Sequence, residues 1–234
     1  MDYKLEDDEE LEKLIEEFSH DIVYSKVYYD LFRDLTDSIE EYGREFDQTP
    51  VFWNLTLQAH KDAFFIRLCR VYDQQDNGLH LHNWLKIIQA NIHLFEADRF
   101  KERTDTTFSR VLDSEARKPD PDQLEEDIKL VKPSNPLVKR LVVLRNNVFA
   151  HRSASGAKQD IDFFEEYPIQ YLEVESLIDR AINILNRYSG LFQATEYYDE
   201  IVGGDDYEFI LESIRSEIVR ADERIEEKLN RSED

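Results

Sequence analysis

Long apolar stripes with helical spacing, almost free of chain breakers, limit most strongly what this sequence can fold into. Only 6 Gly and 6 Pro interrupt the 234 residues, and there is no run of alternating, β-branched residues of the kind that forms strands. Apolar residues instead recur every three or four positions, as on the buried face of an amphipathic helix. The sequence therefore predicts an all-α fold, an antiparallel helical bundle with an additional C-terminal helix.

The helical segments are predicted to form a single domain over residues 1–234. Four prolines between residues 117 and 136 predict a loop there, with one or two helical turns around residues 124–130. A small-residue loop is expected at 153–160. The predicted helices cover residues 5–45 (as one helix or two in series), 51–72, 82–95, 97–116, 137–151 and 169–194, with a last helix over 205–230.

Two of these helices carry specific expectations about packing. The segment 51–72 is apolar nearly all round, which predicts a central position, and its aromatic residues at 52, 53, 64 and 65 are expected in the core. The last helix carries a stripe with near-heptad spacing, which predicts either packing on the bundle or a dimer contact. That stripe consists of Leu211, Ile214, Ile218, Ala221 and Ile225.

The distribution of charge singles out one segment. The chain has a formal charge of -23, a sign that repels phosphate and disfavours nucleic-acid partners. Residues 129–159, however, contain seven Lys and Arg and no Asp or Glu. This segment predicts a local anion site or a docking surface for an acidic partner.

The octapeptide RNNVFAHR, residues 145–152, lies inside this basic segment and directly follows an apolar helical run. At about 100° per residue, Arg145 and His151 both fall on apolar stripes of one helix predicted to begin at Leu137. A buried guanidinium needs a partner, and no acid lies among its sequence neighbours from 129 to 159. The partner of Arg145 must therefore come from elsewhere in the fold, from a second subunit or from a ligand anion.

His151 allows two interpretations. It can be a neutral histidine at the end of a core helix, with its ring nitrogens satisfied. It can also transfer a proton near neutral pH, and with an arginine that binds phosphate it supplies the minimum chemistry for cleaving RNA without a metal. Residues six apart on one helix point about 120° away from each other, so two copies facing across a dimer would surround one phosphate better than one copy.

The remaining features exclude several classes of protein. There is no P-loop, GxGxxG or GxSxG motif, so no cofactor is expected. His80 and His82 lack companion ligands and are expected in a surface loop, so no metal is expected either. Cys69, the single cysteine, precludes an intramolecular disulfide and is expected as a small apolar residue. The acidic N-terminus lacks a signal-peptide pattern, and no apolar run approaches a membrane span, so a cytoplasmic protein without membrane contact is expected.

The segment RNNVFAH resembles the R-x(4–6)-H motif of the HEPN superfamily, in the form with a polar residue directly after the arginine. A second resemblance covers residues 49–88, which are similar to the first half of the AbiU branch, where an aromatic-rich helix ends at an aspartate. Asp73 corresponds to that aspartate. The resemblance extends over residues 10–195, the HEPN-like core, and leaves the last helix unexplained.

This resemblance implies a helical bundle that dimerises with both motifs lining one cleft, and a metal-independent endoribonuclease acting in toxin–antitoxin or abortive-infection defence against phage. It implies that Arg145 binds the scissile phosphate, His151 is the general acid or base, and Asn146 orients the substrate or His151. Lys139, Arg140 and Arg152 would guide the RNA backbone, and an antitoxin or regulatory protein would restrain the activity. The alternative is a catalytically inactive HEPN-like module that binds a nucleotide or an acidic partner.

Overall fold

A computed structural model describes residues 3–103, 117–149, 163–198 and 203–232 of the chain, and every regular element within these ranges is helical. The predicted all-α fold is confirmed. No helix in the described ranges is both long and apolar enough to cross a membrane. The elements are α1 (Asp8–Asp37), α2 (Gly43–Phe46), α3 (Pro50–Val71), α4 (Leu81–Ala90), a 3₁₀ helix (Ile92–Phe95), α5 (Ala97–Arg103), α6 (Pro121–Val131), α7 (Pro136–Leu144), a π-helical turn (Arg145–Phe149), α8 (Phe163–Glu166), α9 (Tyr171–Gln193) and α10 (Asp206–Ser232).

The chain divides into two compact units. The first comprises Met1–Lys26 and Phe65–Asp199, and the second comprises Val27–Phe64 and Glu200–Asp234. Helices α1 and α3 therefore contribute residues to both units. The predicted organisation as a single domain with a core over residues 10–195 stays a prediction.

The core of the first unit is built around one stripe of α9. An amphipathic helix buries residues three and four positions apart, and α9 follows this rule from Val174 to Phe192. Trp84 of α4 packs edge-to-face on Tyr188 with ring centroids 5.9 Å apart, and it also contacts Phe18. Tyr72, which directly follows α3, is fully buried, and its hydroxyl donates to the Leu177 carbonyl at 2.7 Å. These contacts hold the ends of α3 and α4 against α9.

The last helix packs in the core of the second unit. Leu211 is fully buried in a cluster with four aromatic or aliphatic side chains, and Ile214 packs against the same cluster. The predicted packing on the bundle is therefore confirmed for the first part of the stripe, whereas Ile225 is 56% exposed. The dimer contact stays a prediction. The other members of the cluster are Leu35, Tyr42, Phe46 and Trp53.

Helix α3 is less central than its composition predicts. Val51, Phe52 and Leu55 are 72%, 58% and 66% exposed, whereas Trp53 is buried. The prediction that every aromatic residue of this helix lies in the core is therefore wrong for Phe52. An apolar pattern on all faces cannot indicate which face is covered, because the solvent-facing side carries no polar signature.

Helix α6 is longer than the one or two turns that the prolines predict. It runs from Pro121 to Val131, because Pro121 occupies the first turn, where proline fits a helix, instead of ending one. The Asp120 side chain caps the helix by accepting hydrogen bonds from the backbone N–H groups of residues 122 and 123. Asp127 is buried on the inner face of α6 and pairs with Arg187 and Tyr188.

Candidate functional site around Arg145 and Asp73

Helix α7 anchors the segment that carries the basic motif within the first unit. Asn135 caps it by accepting hydrogen bonds from the N–H groups of residues 137 and 138, and Pro136 occupies its first position. Val138, Leu141 and Leu144 are fully buried, so the predicted apolar face anchors this helix. The motif begins at the residue that follows α7.

The motif itself starts in a π-helical turn, Arg145–Phe149, where an unbroken α-helix is predicted. In a π turn the backbone N–H bonds to the carbonyl five residues back, so each residue rotates by less than 100° about the axis. The Asn147 side chain donates to the Val143 carbonyl at 2.8 Å, the acceptor that residue 147 would use through its backbone in an α-helix. The α-helix predicted over residues 137–151 is therefore interrupted at Arg145, whereas the predicted direction of His151 lies outside the described residues.

Arg145 pairs with Asp73, which lies 72 residues away in sequence. Its Nη2 lies 2.8 Å from the Asp73 Oδ2, and its Nη1 donates to the Asn146 Oδ1 at 3.1 Å. The Arg145 and Asp73 side chains are 24% and 17% exposed. Of the three sources of a partner that the sequence leaves open, the fold itself supplies one, and it is the aspartate that the family resemblance singles out.

Asp73 is held on both carboxylate oxygens. Its Oδ1 accepts a hydrogen bond from the backbone N–H of Gln74 at 2.7 Å while its Oδ2 faces Arg145. The Gln74 side chain in turn donates to the carbonyls of Tyr72 and Val131, so the segment after α3 is hydrogen-bonded to the end of α6. A carboxylate oriented in this way presents Oδ2 to the guanidinium of Arg145 for a charge-assisted hydrogen bond.

The loop that follows Asp73 is organised by two buried residues at the start of α4, one in its first turn and one at its N-cap. The Asn83 side chain donates to the carbonyls of Gln75, Asp76 and Gly78, at 3.3, 3.1 and 2.9 Å. His80 caps α4 through Nδ1, and its Nε2 donates to the Gln75 carbonyl at 2.9 Å. The expected surface-loop position is therefore wrong for His80, which is buried, and burial lowers its pKa.

Cys69 lies one helical turn before Asp73 and behaves as the small apolar residue that was expected. It is buried, and burial raises the pKa of its thiol to about 12, with Arg145 opposing and Asp73 adding to the shift. The thiol is therefore protonated at neutral pH and is not a nucleophile. It serves as an apolar wall beside the ion pair.

The predicted flanking residues have different environments. Lys139 is exposed and pairs with no carboxylate in the described part of the chain. Arg140 pairs with Glu173 and donates to the Pro168 carbonyl at 2.8 Å, so the fold already compensates its charge. His151 and Arg152 lie outside the described residues.

A second basic cluster, consisting of His82, Lys86 and Lys132, was not found from the sequence. Burial lowers the pKa of His82, and the positive charges of the two lysines lower it further. The His82 Nε2 is buried without a hydrogen-bond partner among the described residues. Lys132 directly follows Val131, whose carbonyl accepts a hydrogen bond from the Gln74 side chain. The cluster therefore lies near Asp73, the residue before Gln74. The sequence signal for this cluster is weak, because its members are 50 residues apart.

The HxH pair does not form a metal site with other side chains in the ranges described. The rings of His80 and His82 stack with centroids 6.4 Å apart, and the ring nitrogens of His80 contact the backbone. Within those ranges no group of three or more His, Cys, Asp or Glu side chains is placed to hold a metal ion.

Comparison with known proteins places the chain in a family. Residues 8–220 match the model of the HEPN AbiU2 proteins. The match covers nearly the whole chain. The chain belongs to the HEPN AbiU2 family. The match confirms the resemblance to the AbiU branch, and it extends past residue 195 into α10, the helix that the resemblance leaves unexplained. Comparisons with curated proteins and with solved structures gave no match.

Proposed function

We propose that this HEPN AbiU2 protein is a metal-independent endoribonuclease with Arg145 at the centre of its active site. The observation that supports the proposal is the arrangement of Arg145, Asp73 and Asn146. A guanidinium is held from two sides, in a segment without acids, on a π turn of the kind that is frequent at functional sites.

The proposed chemistry assigns one role to each side chain of the motif. Arg145 binds a non-bridging oxygen of the scissile phosphate and stabilises the charge of the phosphorane. His151 acts as general acid or base. The ribose 2′-hydroxyl loses its proton and attacks phosphorus, the bond to the 5′-oxygen breaks, and that oxygen takes up a proton. The products carry a 2′,3′-cyclic phosphate and a 5′-hydroxyl.

Asp73 and Asn146 act on Arg145 and not on the substrate. The carboxylate and the amide oxygen each accept one N–H group of the guanidinium and fix its plane. A fixed cation needs no reorganisation when the transition state forms, which is the main source of electrostatic catalysis. In this proposal both residues are positioning residues.

The RNA backbone is proposed to run along the basic surface on either side of Arg145. Lys139 and Arg152 guide it on the motif side, and Lys86 and Lys132 guide it on the side of α4 and α6. Arg140 contributes less than its charge suggests, because Glu173 already pairs with it. Salt should weaken the binding strongly, since each phosphate contact releases counterions.

The active form is proposed to be a homodimer in which both motifs face one cleft and each copy contributes Arg145 and His151. The family membership supports a role in abortive infection, as a toxin or phage-defence effector restrained by an antitoxin or regulatory protein. A charge of -23 opposes encounter with RNA, so the basic surface has to provide the attraction locally.

A second candidate is a catalytically inactive HEPN-like module that binds a nucleotide or an acidic partner through the same surface. The Arg145–Asp73 ion pair favours this candidate, because a guanidinium that is already neutralised stabilises the charge of a phosphorane less well. The two candidates differ in whether RNA is cleaved.

The deciding experiment incubates purified protein with labelled total RNA in EDTA and compares wild type with Arg145→Ala and His151→Ala. The nuclease proposal expects fragments with 2′,3′-cyclic phosphate ends from wild type and none from either variant. Arg67→Ala and His93→Ala are the matched controls. Arg67 forms a similarly exposed ion pair with Asp21, and His93 is exposed on the 3₁₀ helix.

The binding module would be favoured if no protein cleaved the RNA, and if wild type bound RNA whereas Arg145→Ala did not. Cleavage that persists in both motif variants would refute the assignment of the active site. The dimer is tested separately by sedimentation, and by mixing the Arg145→Ala and His151→Ala proteins. A composite cleft predicts partial recovery of cleavage in the mixture, because one mixed site regains both groups.

A further inference from the structure

The second basic cluster brings three side chains together from two helices of the first unit. His82 and Lys86 are four residues apart on α4, so they share one face of that helix. Lys132 is the residue at which α6 ends, and α4 and α6 pack against each other. All three side chains are partly buried. The fold therefore concentrates positive charge at one place instead of spreading it over the surface.

The charges that act on His82 are all positive. Burial is the main cause of its lowered pKa, and the charges of His80, Lys86 and Lys132 lower the pKa further. No carboxylate of the described residues contributes to that shift. The acids of the neighbouring loop, Asp73 and Asp76, act instead on His80, where they oppose the effect of burial.

Neither lysine of the cluster forms an ion pair within the part of the chain that the structure describes. The Lys86 ammonium donates to the side-chain oxygen of Gln89 at 3.0 Å, which is a neutral acceptor. The chain has 52 acids and only 29 Lys and Arg, so carboxylates are plentiful. Exposed lysines elsewhere do pair with them, namely Lys13, Lys101 and Lys118. Partly buried lysines without a counter-charge indicate a position for a bound anion.

His82 adds an unsatisfied hydrogen-bonding atom to the cluster. Its Nε2 is buried and has no hydrogen-bond partner among the described residues. Both ring nitrogens of the neighbouring His80 are used, by contrast, one on the Gln75 carbonyl and one on the N–H of Asn83. A buried polar atom without a partner requires an explanation, and a ligand is one. The His82 side chain is partly exposed, so rotation about its side-chain bonds brings this nitrogen to a ligand.

We propose that the second basic cluster binds a phosphate monoester, the group found at the 5′ end of an RNA strand or on a nucleotide. The two lysines balance the negative charges that a monoester carries near neutral pH. The imidazole of His82 takes up a proton and donates from Nε2 to an oxygen of the phosphate. A phosphodiester carries a single charge and would leave the cluster with an excess of positive charge.

The proposal gives Lys86 and Lys132 a more specific ligand than the RNA backbone. Binding of the monoester itself does not depend on cleavage, whereas the anchoring of an RNA end at this cluster rests on the proposed function. The tests below measure binding only. The monoester site and the nuclease can therefore fail separately.

The first test is calorimetric titration of the full-length protein with adenosine 5′-monophosphate. The cyclic 3′,5′-monophosphate of adenosine, a diester with the same base, and adenosine itself are titrated in parallel. The proposal expects the monoester to bind about tenfold or more tightly than the diester, and adenosine not to bind. Equal affinity for the monoester and the diester, or for the monoester and adenosine, would overturn it.

A matched pair of double variants separates the site from general electrostatic attraction. Lys86→Met with Lys132→Met should weaken binding of the monoester about tenfold or more. Lys13→Met with Lys228→Met removes the same charge from two exposed positions and should leave the affinity within about twofold. An equal loss in both double variants, or no loss in the first, would refute the site.

The role of His82 is tested with sulfate, which keeps two charges throughout the pH range used. A bound dianion favours the imidazolium, so binding raises the pKa of His82 and the protein takes up a proton. Sulfate should therefore bind more tightly as the pH falls from about 8 to about 6, by at most about tenfold per unit for one proton. His82→Asn should remove this dependence, and His93→Asn, at an exposed position, should keep it. A dependence that persists in His82→Asn would overturn the role of His82.

Two RNAs of the same sequence identify the source of the monoester, one with a 5′-phosphate and one with a 5′-hydroxyl. Both carry 2′-O-methyl groups, which prevent cleavage. Tighter binding of the phosphorylated RNA, with a difference that Lys86→Met and Lys132→Met together abolish, assigns the cluster to an RNA end. Equal affinity for the two RNAs, together with tight binding of adenosine 5′-monophosphate, assigns it to a free nucleotide. Equal affinity for the RNAs without binding of the nucleotide would refute the proposal.

Discussion

Replacing Asp73 tests whether the ion pair with Arg145 builds the site. Asp73→Ala removes a charge-assisted hydrogen bond of 2.8 Å, a type that contributes about 1.5–3 kcal/mol to stability. Both side chains keep part of their surface in solvent, which screens the pair, so the expected loss lies at the lower end, about 1–2 kcal/mol. Urea unfolding followed by circular dichroism measures this loss.

The effect on cleavage should exceed the effect on folding. If Asp73 fixes the guanidinium of Arg145, its loss lowers kcat/KM about 10- to 100-fold, equivalent to about 1.4–2.7 kcal/mol at the transition state. Asp73→Asn keeps the shape and one acceptor, so it should retain an intermediate rate. Cleavage of a labelled RNA under single-turnover conditions measures both variants.

A double-mutant cycle isolates the pair. The variants Asp73→Ala, Arg145→Ala and their combination should give a coupling energy of about 1–2 kcal/mol in unfolding. The pair of Asp21 and Arg67, whose side chains are 26% and 29% exposed, provides the matched cycle, with an expected coupling energy of similar size and no effect on cleavage. An Asp73→Ala protein that unfolds and cleaves like wild type would refute the reasoning.

Three further predictions concern the π turn, the end of α9 and the pH dependence of stability. Asn147→Leu removes the amide that bonds the Val143 carbonyl, so the free energy of unfolding should fall by about 1 kcal/mol, and hydrogen exchange at the amide of residue 147 should slow as the π turn reverts to α. Ala194→Gly relieves the left-handed φ of 54° and should raise stability by about 0.5–1 kcal/mol, seen as a higher Tm; a lower Tm would contradict this. Because burial depresses the pKa of His80, its neutral form stabilises the fold above the ordinary value of 6.5, and this stability is lost as the pH falls below it. His80→Ala should therefore flatten part of the stability profile between about pH 7 and pH 5, as measured by unfolding at each pH.

Much of the fold could be predicted, because α1, α3 and α9 carry stripes or apolar runs long enough to identify a helix. The predictions that were wrong concern residue types found in more than one structural setting: proline both starts and ends helices, and an aromatic residue can lie in the core or on the surface. Pro121 starts α6, although prolines in that stretch suggested a loop. Phe52 is exposed on a helix that is apolar all round. Composition marks a helix more reliably than it marks the covered face.

The sequence and the family resemblance could identify residues of the candidate site, but they could not predict which of these residues contact each other. The motif singles out Arg145, and the family resemblance singles out Asp73, yet nothing in the sequence connects positions 72 residues apart. The π turn has no signature in apolar spacing, since it changes the hydrogen bonds of only five residues. Asn147 is the one residue in this segment that favours a π turn, because its side chain can donate to the Val143 carbonyl.

The π turn also bears on how the length of the motif can vary. A π turn amounts to one residue inserted into an α-helix, so Arg145–Phe149 accommodates an extra residue without changing the buried face of α7 before it. Deleting that residue restores an α-helical turn and leaves Val138, Leu141 and Leu144 in place. The number of residues that follow Arg145 can then change by one without moving the apolar face that anchors α7.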